Sequence, residues 1–366
     1  MIKREIHSSI NDKLFKGKLI IIYGACQVGK TTLLESFQEN HTDSQIYLNC
    51  DEPDIREQLT NATSTKLKSI VGKKKLVLID EAQRVKNIGI TLKLFADQLK
   101  NVQVIATGSS VFELSNEINE SLTGRKHEFI LYPFSVRELI REYGWMETHR
   151  LLEERLIYGM YPEIVIKPDE KKSLLKEISN SYLFKDILSY EGIRKPDVLE
   201  KLLIAIAAQI GREVSYNELA GTVGIDKGTI AKYLDILEKA FVIFRLTPFS
   251  RNIRTEITKM HKIYFYDTGI RNTLVNNFNA LVTRNDKGAI WENFLITEKL
   301  KMNSALGIDA KIYFWRTTQQ QEIDYIEDVE GDLTVYEFSL NVNKKKENTG
   351  NLYKGLRYQI FCCDKY

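Results

Sequence analysis

A short run between two apolar segments constrains this chain more than any other feature. It reads Gly24-Ala-Cys-Gln-Val-Gly29-Lys30-Thr31 and matches the pattern G-x-x-x-x-G-K-[ST]. The apolar stretch 18–24 predicts a buried strand before it, and Leu33, Leu34 and Phe37 predict one face of a helix after it. Glycines there let backbone N–H groups converge on phosphate oxygens, and the helix N-terminus adds the positive end of its dipole. The run therefore predicts a phosphate-binding loop, with an ordinary glycine turn as the alternative.

The residues of this loop have predicted roles. Lys30 is expected to reach the β- and γ-phosphates of a nucleoside triphosphate, and the Thr31 hydroxyl to ligate Mg²⁺. Cys26 is interpreted as a loop filler and not as a redox residue. The predicted nucleotide-binding set is Gly24, Ala25, Cys26, Gln27, Val28, Gly29, Lys30, Thr31 and Thr32.

A second apolar strand, Leu76–Ile79, ends in the carboxylates Asp80 and Glu81. Because α/β sheets bind ligands beyond the carboxyl ends of their strands, both side chains are expected beside the loop. Asp80 is expected to hold Mg²⁺ through water, and Glu81 to polarise the attacking water. A glutamate here favours hydrolysis over storage, because a positioned base accelerates water attack by roughly 10²–10⁴-fold. The alternative is a strand followed by an acidic helix cap.

Two further positions are candidates for catalysis. The strand Val102–Ala106 is followed by Thr107-Gly-Ser109-Ser110, where a hydroxyl could sense the γ-phosphate. Ser109 is preferred, with Ser110 and Thr107 close behind, and ordinary turn residues are the alternative. Arg125 could neutralise transition-state charge as an arginine finger, in cis or from a neighbouring subunit. A surface salt bridge is an equally good interpretation of Arg125.

The order of predicted elements gives the fold class. Short apolar strands, including Ile46–Leu48, alternate with helical stretches, which predicts an α/β fold with a parallel P-loop NTPase sheet. Further on, a helix, a second helix opened by a capping box at Ser215–Glu218, a third helix and a strand outline a winged helix. We predict four parts: a P-loop core at 1–140, a helical lid or linker at 141–195, the winged helix at 196–250, and a mixed α/β domain at 251–366.

Composition limits the partners. Lys+Arg 52 against Asp+Glu 49 gives a net charge of +3, so any nucleic-acid contact must come from a local patch. The cysteines form no CxxC pair, and the N-terminus lacks the apolar region of a signal peptide. No apolar run approaches the length of a membrane span. These observations predict a soluble cytoplasmic protein with no membrane contact.

The motifs also occur in a characteristic order along the chain. They are Gln27-Val-Gly29-Lys30-Thr31-Thr32, Ile79-Asp80-Glu81-Ala82-Gln83, Thr107-Gly-Ser109-Ser110, Leu122-Thr-Gly-Arg125, Leu131-Tyr-Pro133-Phe134-Ser135, Tyr266-Asp267-Thr268-Gly269, Gly288-Ala-Ile-Trp291-Glu292-Asn293, Trp315-Arg316-Thr317 and Glu322-Ile323-Asp324. Together they resemble a widespread prokaryotic family of AAA+-superfamily ATPases with a C-terminal domain of uncertain function. The resemblance covers nearly the whole chain. It implies ATP as the nucleotide and a C-terminal domain resembling restriction endonucleases, but no physiological role.

The C-terminal domain can be tested against the needs of such a nuclease. A metal-dependent enzyme of this type needs a helix acid, a strand aspartate and an acid-x-Lys on the next strand. Glu292, Asp324 and Glu337 fit the acids, but Ser339 stands at the lysine position. The lysines at 344–346 are expected in a loop. We therefore predict a retained fold without nuclease catalysis.

The predicted function is that of an ATP-binding, Mg²⁺-dependent AAA+-type ATPase. Hydrolysis would drive a conformational switch of the winged-helix and C-terminal domains. Residues 197–250 have slightly more acidic than basic side chains, which does not favour a phosphate-binding surface. Lys227, Thr229 and Lys232 could still contact DNA. Otherwise the winged helix acts as a regulatory lid. The alternatives are a nucleotide-gated DNA- or protein-binding scaffold with little turnover and, more weakly, a DNA nuclease; a homo-oligomer is left open.

Overall fold

The computed structural model describes residues 2–40, 44–108, 122–180, 187, 195–249, 260–316, 319, 321–339 and 357–362. The chain forms two compact units. The first consists of Met1–Phe134, Lys239–Phe241 and Ser304–Leu306, and the second of Ser135–Glu238, Val242–Asn303 and Gly307–Tyr366. The division into four parts stays a prediction.

The first unit is built on a five-stranded sheet in the order β2-β3-β4-β1-β5. Its strands are β1 Leu19–Tyr23, β2 Gln45–Asn49, β3 Leu76–Asp80, β4 Gln103–Gly108 and β5 Lys126–Ile130. All its pairings are parallel, which confirms the predicted α/β core. The three central strands are buried along their whole length, as expected of a parallel sheet covered on both faces.

Helices join these strands. They are α1 Ile6–Asn11, α2 Lys30–Asn40, α3 Pro53–Leu59, α4 Ser64–Val71 and α5 Ile88–Gln98, with a short 3₁₀ turn at Ala82–Arg84. Local chemistry fixes several of their starts: Pro53 stands in the first turn of α3, and the Thr63 side chain accepts the Lys66 N–H to cap α4. Helix α2 begins at Lys30, so its N-terminus faces the end of β1 across the glycine-rich loop.

The second unit contains a seven-stranded mixed sheet in the order β12-β11-β10-β9-β7-β8-β6. Its strands are β6 Glu213–Val214, β7 Ile243–Pro248, β8 His261–Phe265, β9 Lys311–Arg316, β10 Glu322–Val329, β11 Asp332–Ser339 and β12 Arg357–Cys362. Parallel pairing of Thr247 with Tyr313 and of Pro248 with Phe314 joins β7 to β9. One sheet therefore runs through residues on both sides of position 250. Tyr264, Phe314 and Tyr325 lie in its buried core.

The helices of the second unit are α6 Val136–Tyr143, α7 Trp145–Arg150, α8 Leu152–Tyr158, α9 Pro162–Ile166, α10 Lys171–Ile178, α11 Pro196–Ala208, α12 Tyr216–Val223, α13 Lys227–Lys239, α14 Thr268–Leu274 and α15 Lys287–Leu306. The predicted capping box at Ser215 is wrong: α12 begins there, but the Ser215 side chain makes no cap hydrogen bond. Because Glu218 is exposed, water can satisfy its carboxylate instead. A complete capping box occurs at α6, between Ser135 and Glu138. In the described stretches no helix combines the length and the apolarity needed to cross a membrane.

The Tyr266-Asp267-Thr268-Gly269 motif has a packing role. The Asp267 carboxylate caps α14 by accepting the Gly269 N–H (2.8 Å), and it also accepts the Met160 N–H (2.7 Å). A side chain at Gly269 would overlap the Tyr158 carbonyl, so the close approach of α14 to α8 requires glycine. These contacts explain the motif without a ligand.

Candidate nucleotide site

The glycine-rich loop connects the end of β1 to the start of α2. Gln27 (φ 62°) and Gly29 (φ 91°) adopt left-handed backbone conformations, which curl the loop. A Cβ at Gly24 would overlap the Leu131 carbonyl oxygen, so only glycine lets the loop pass this neighbouring backbone. The whole predicted nucleotide-binding set, from Gly24 to Thr32, lies between β1 and the first turn of α2. A curled loop of this kind before a helix N-terminus is typical of phosphate-binding sites.

Lys30 is a buried cation within this loop. Its side chain is only 4% exposed, and its Nζ donates to the Gly24 carbonyl (3.1 Å) and the Ala25 carbonyl (2.9 Å). No carboxylate in the described part of the chain forms an ion pair with it. Because burying a charge without a counter-charge is costly, the site suits an anion.

Asp80, at the end of β3, is the centre of a hydrogen-bond network. Its Oδ2 accepts from the Thr31 hydroxyl (2.7 Å) and from the Tyr47 hydroxyl (2.7 Å), and its Oδ1 accepts from the Thr107 hydroxyl. The structure thus brings Thr31 and Asp80, the two predicted metal ligands, into direct contact. Tyr47 was not among the predicted site residues, because its contact depends on β2 lying beside β3.

Glu81 follows directly and adopts a left-handed conformation (φ 51°). Its backbone N–H donates to the Thr107 hydroxyl (3.2 Å) and to Asp80 Oδ1 (3.1 Å), and its carboxylate accepts from the Gln83 amide. Such backbone strain in a residue other than glycine is typical of functional sites. The half-buried Glu81 side chain is held at the carboxyl edge of the sheet, beside Asp80.

The remaining predicted catalytic residues are placed differently. Ser109 and its neighbour Ser110 lie outside the described residues, whereas Thr107, the other candidate hydroxyl, contacts Asp80. Arg125 precedes β5 at the amino edge of the sheet, and its Nε lies 2.7 Å from Asp97 Oδ1. A five-residue strand separates the two edges by about 16 Å. This placement does not support an arginine finger for the loop of the same chain, and a role in a neighbouring subunit stays a prediction.

Two titratable groups near Asp80 are held in their neutral forms. Burial, followed by the hydrogen bond to Asp80, raises the pKa of Tyr47. Burial and the Asp80 charge raise the pKa of the Cys50 thiol to about 12. Cys50 is therefore a protonated thiol beside the site and a poor nucleophile.

The predicted nuclease residues form a second cluster, in the second unit. Lys262 on β8 lies 3.2 Å from the Glu292 carboxylate on α15 and also pairs with Glu322 on β10. The Tyr264 hydroxyl donates to Glu292 (2.5 Å). Asp324, also on β10, accepts the Phe338 N–H (2.8 Å) from β11. The cluster thus holds a lysine that was not predicted there, on a strand other than the expected one.

Charge balance in this cluster is set by Lys262. Burial alone lowers the pKa of Lys262, but Glu292 and Glu322 outweigh it, so the pKa is raised and the amine is charged. Burial, followed by the Glu292 charge, raises the pKa of Asp324 to about 7. Glu337 is half-buried on β11. The Ser339 side chain and the lysines at 344–346 are not among the parts of the chain that the structure describes. Among the residues that are described, no three His, Cys, Asp or Glu side chains come together as a metal site.

Three family models match successive stretches of the chain. Residues 16–140 match the model described as AAA domain, 149–281 match a domain of unknown function (DUF8612), and 287–360 match a domain of unknown function (DUF4143). The predicted resemblance to P-loop ATPases of the AAA type with a C-terminal domain of unknown function is thereby confirmed. Most of the first unit is therefore similar to an AAA domain.

Curated relatives cover most of the chain. An uncharacterized protein of Mycobacterium tuberculosis is 27% identical over 360 residues, which cover 97% of this chain and 76% of that protein. An uncharacterized protein of Methanocaldococcus jannaschii is 28% identical over 373 residues, which cover 93% and 80%. The similarity to these bacterial and archaeal proteins thus extends along nearly the whole chain.

Solved structures are more distant. Bacteroides Pif1 bound to ssDNA is 17% identical with a TM-score of 0.26, covering 42% of this chain and 49% of that one. Drosophila ORC bound to AT-rich DNA and Cdc6 is 9% identical with a TM-score of 0.27, covering 74% and 92%.

Proposed function

We propose that the first unit binds ATP with Mg²⁺ and hydrolyses it, as an AAA+-type ATPase. The buried cation of Lys30 carries this proposal, because no carboxylate in the described residues neutralises it and the loop around it is shaped for phosphate. The AAA domain match over residues 16–140 supports the same function. The choice of adenine rests on the family resemblance.

Mg²⁺ would be held by Thr31 and Asp80. A hydroxyl and a carboxylate are the oxygen ligands that this ion prefers, and their mutual hydrogen bond already holds both oxygens together. When bound, the ion supplies positive charge at the β- and γ-phosphate oxygens. Tyr47 and Thr107 fix the Asp80 carboxylate from two sides, so it needs little reorganisation.

Glu81 would orient the attacking water and accept its proton. Its backbone is fixed through the Thr107 hydroxyl, so the carboxylate extends from a rigid strand end. A base positioned in this way contributes roughly 10²–10⁴-fold to the rate of hydrolysis.

Phosphate release by three purified variants tests this function. Lys30→Ala should lose ATP affinity and turnover together, whereas Glu81→Gln should keep ATP bound and lose roughly 10²–10⁴-fold in turnover. Lys68→Ala, an exposed lysine on α4, is the matched control and should behave as wild type. Unchanged ATP affinity in Lys30→Ala would reject the proposal.

Hydrolysis is proposed to drive a conformational switch that includes the region from α11 to β8. Helix α11, strand β6, helices α12 and α13, and strands β7 and β8 follow one another in the order of a winged helix, which supports that part of the proposal. Hydrogen exchange of this region should change when ATP is added to Glu81→Gln, and identical exchange with and without ATP would contradict the switch.

A nucleotide-gated DNA-binding scaffold is the second candidate. A cavity of about 390 Å³ at the start of α13 is lined by Lys195, Thr229 and Lys232, which favour a phosphate contact. Asp226 also lines it and opposes one, because its carboxylate accepts the Thr229 N–H and hydroxyl. Salt-dependent gel shifts with duplex DNA, with and without ATP, test it. Nuclease activity is the weaker alternative, since Ser339 stands at the expected lysine position and Lys262, on another strand, is paired with Glu292 and Glu322; nicking that Asp324→Ala abolishes would support it.

A further inference from the structure

A basic groove lies at the amino edge of the parallel sheet, the edge opposite to the glycine-rich loop. Its volume is about 740 Å³, and Phe15, Lys18, Lys75 and Lys100 line it. Among the described residues that line it, none is acidic. We refer to this cavity as the basic groove.

Strand order explains why the three lysines converge. Lys18 immediately precedes β1, Lys75 immediately precedes β3, and Lys100 leads from α5 to β4. Parallel strands start at the same edge, and β4 lies between β1 and β3. Lys18 and Lys75 are therefore about 10 Å apart, at two strand spacings. All three lysines are exposed, which suits a run of phosphates.

The aromatic residue of the groove is held in an unusual conformation. Phe15 has φ 56°, which is unfavourable for a residue with a side chain, and the residue is 51% exposed. Gln103, which is buried, accepts the Phe15 N–H (2.7 Å) and donates to the Lys18 carbonyl (3.0 Å). A buried amide thus builds the turn that presents the ring. Strain of this kind is commonly kept where a side chain has a function.

Further positive charge surrounds the groove. Lys13 and Lys16 are exposed next to it, and after burial these two and Lys18 lower the pKa of His127. The Asp97 carboxylate at this edge is engaged in an ion pair with Arg125, and the Glu128 carboxylate, in the middle of β5, pairs with Lys126.

We propose that the basic groove binds single-stranded nucleic acid, with its lysines on the phosphates and the Phe15 ring stacked on a base. Lysines beside an exposed aromatic ring are what non-specific single-strand binders use. A duplex keeps its bases stacked within the helix and leaves Phe15 without a role, and an acidic peptide would use only the charges. This site is distinct from the winged-helix candidate and does not depend on ATP hydrolysis.

Fluorescence anisotropy with oligothymidylate of about 16 nucleotides, without ATP, tests the site. The triple variant Lys18→Ala, Lys75→Ala, Lys100→Ala should reduce the slope of log K against log salt by about 2. The control variant Lys66→Ala, Lys68→Ala, Lys93→Ala makes the same charge change at exposed lysines outside the groove and should keep the wild-type slope.

Phe15 is tested separately. Phe15→Ala and Phe15→Leu should each weaken binding by about 5- to 150-fold, and Phe15→Trp should retain or strengthen it. Circular dichroism shows whether each variant folds, and Phe15→Trp keeps the test decisive if Phe15→Ala does not.

Three outcomes would overturn the proposal. Equal weakening by the two triple variants would show a general charge effect. Wild-type affinity in Phe15→Leu would show that the Phe15 ring does not stack on a base. Displacement of oligothymidylate by polyglutamate at the same charge concentration would indicate an acidic protein partner. None of them bears on ATP hydrolysis, which Lys30→Ala tests independently.

Discussion

Asp324→Asn should remove a large part of the pH dependence of stability of the second unit. In the folded chain burial and the Glu292 charge raise the pKa of this carboxyl from 3.8 to about 7. Asparagine cannot ionise, and its amide oxygen can still accept the Phe338 N–H that Asp324 accepts at 2.8 Å. The substitution therefore removes the titration while keeping the contact.

The sign follows from the raised pKa. Between pH 3.8 and about 7 the folded chain keeps a proton that the unfolded chain has released, so the free energy of unfolding falls as pH rises through this window. Between pH 5 and pH 8 about 2 pH units lie within this window. The free energy of unfolding should therefore fall by about 3 kcal/mol over that range. Asp324→Asn should lack this loss and be more stable than wild type at pH 8.

Thermal unfolding at pH 5 and pH 8 measures the effect, which corresponds to about 6–12 °C for a unit of this size. Asp332→Asn, at the exposed first residue of β11, is the control and should follow wild type. Parallel pH profiles for wild type and Asp324→Asn would refute the reasoning. Added Mg²⁺ that stabilised wild type at pH 8, but not Asp324→Asn, would show a metal at this cluster.

Three further substitutions test other contacts. Gly24→Ala should destabilise the first unit by about 1–3 kcal/mol, because its Cβ meets the Leu131 backbone oxygen; a thermal melt checks this. Tyr47→Phe should raise the Mg²⁺ concentration for half-maximal phosphate release about 10-fold, because the Asp80 carboxylate loses a partner; an unchanged Mg²⁺ titration would contradict it. Ser135→Ala should cost about 1 kcal/mol through loss of its capping box, measured by urea unfolding, and no change in the unfolding midpoint would contradict it.

Local sequence patterns were sufficient for the core of the candidate site. The glycine spacing from Gly24 to Gly29 and the apolar run before Asp80 each determine a strand end, and a parallel sheet brings strand ends to one edge. The sequence alone therefore predicts that Thr31 and Asp80 belong to one site. This part of the fold is encoded by neighbours in sequence.

Contacts that depend on strand order or on burial could not be predicted. Tyr47 reaches Asp80 because β2 is the neighbour of β3, and Lys262 reaches Glu292 because β8 lies against α15. Neither pairing has a local signal. Ser135 and Ser215 show the same limit, since both stand three residues before a glutamate but only the buried pair at Ser135 forms the capping box. Burial decides between them, because water satisfies the exposed Glu218.

The parallel pairing of β7 with β9 has a mechanical consequence. Backbone hydrogen bonds join β7 to β9, β9 to β10, and β10 to β11. A force that pulls on the region around Thr247 is therefore transmitted to the hairpin of β10 and β11, and we expect the two to unfold together. A shortened protein ending at residue 250 would lack β8 and β9, both strand neighbours of β7, and would leave the β7 backbone free to pair with strands from other molecules. Replacing only one half of this sheet during evolution would likewise leave strands without their neighbours.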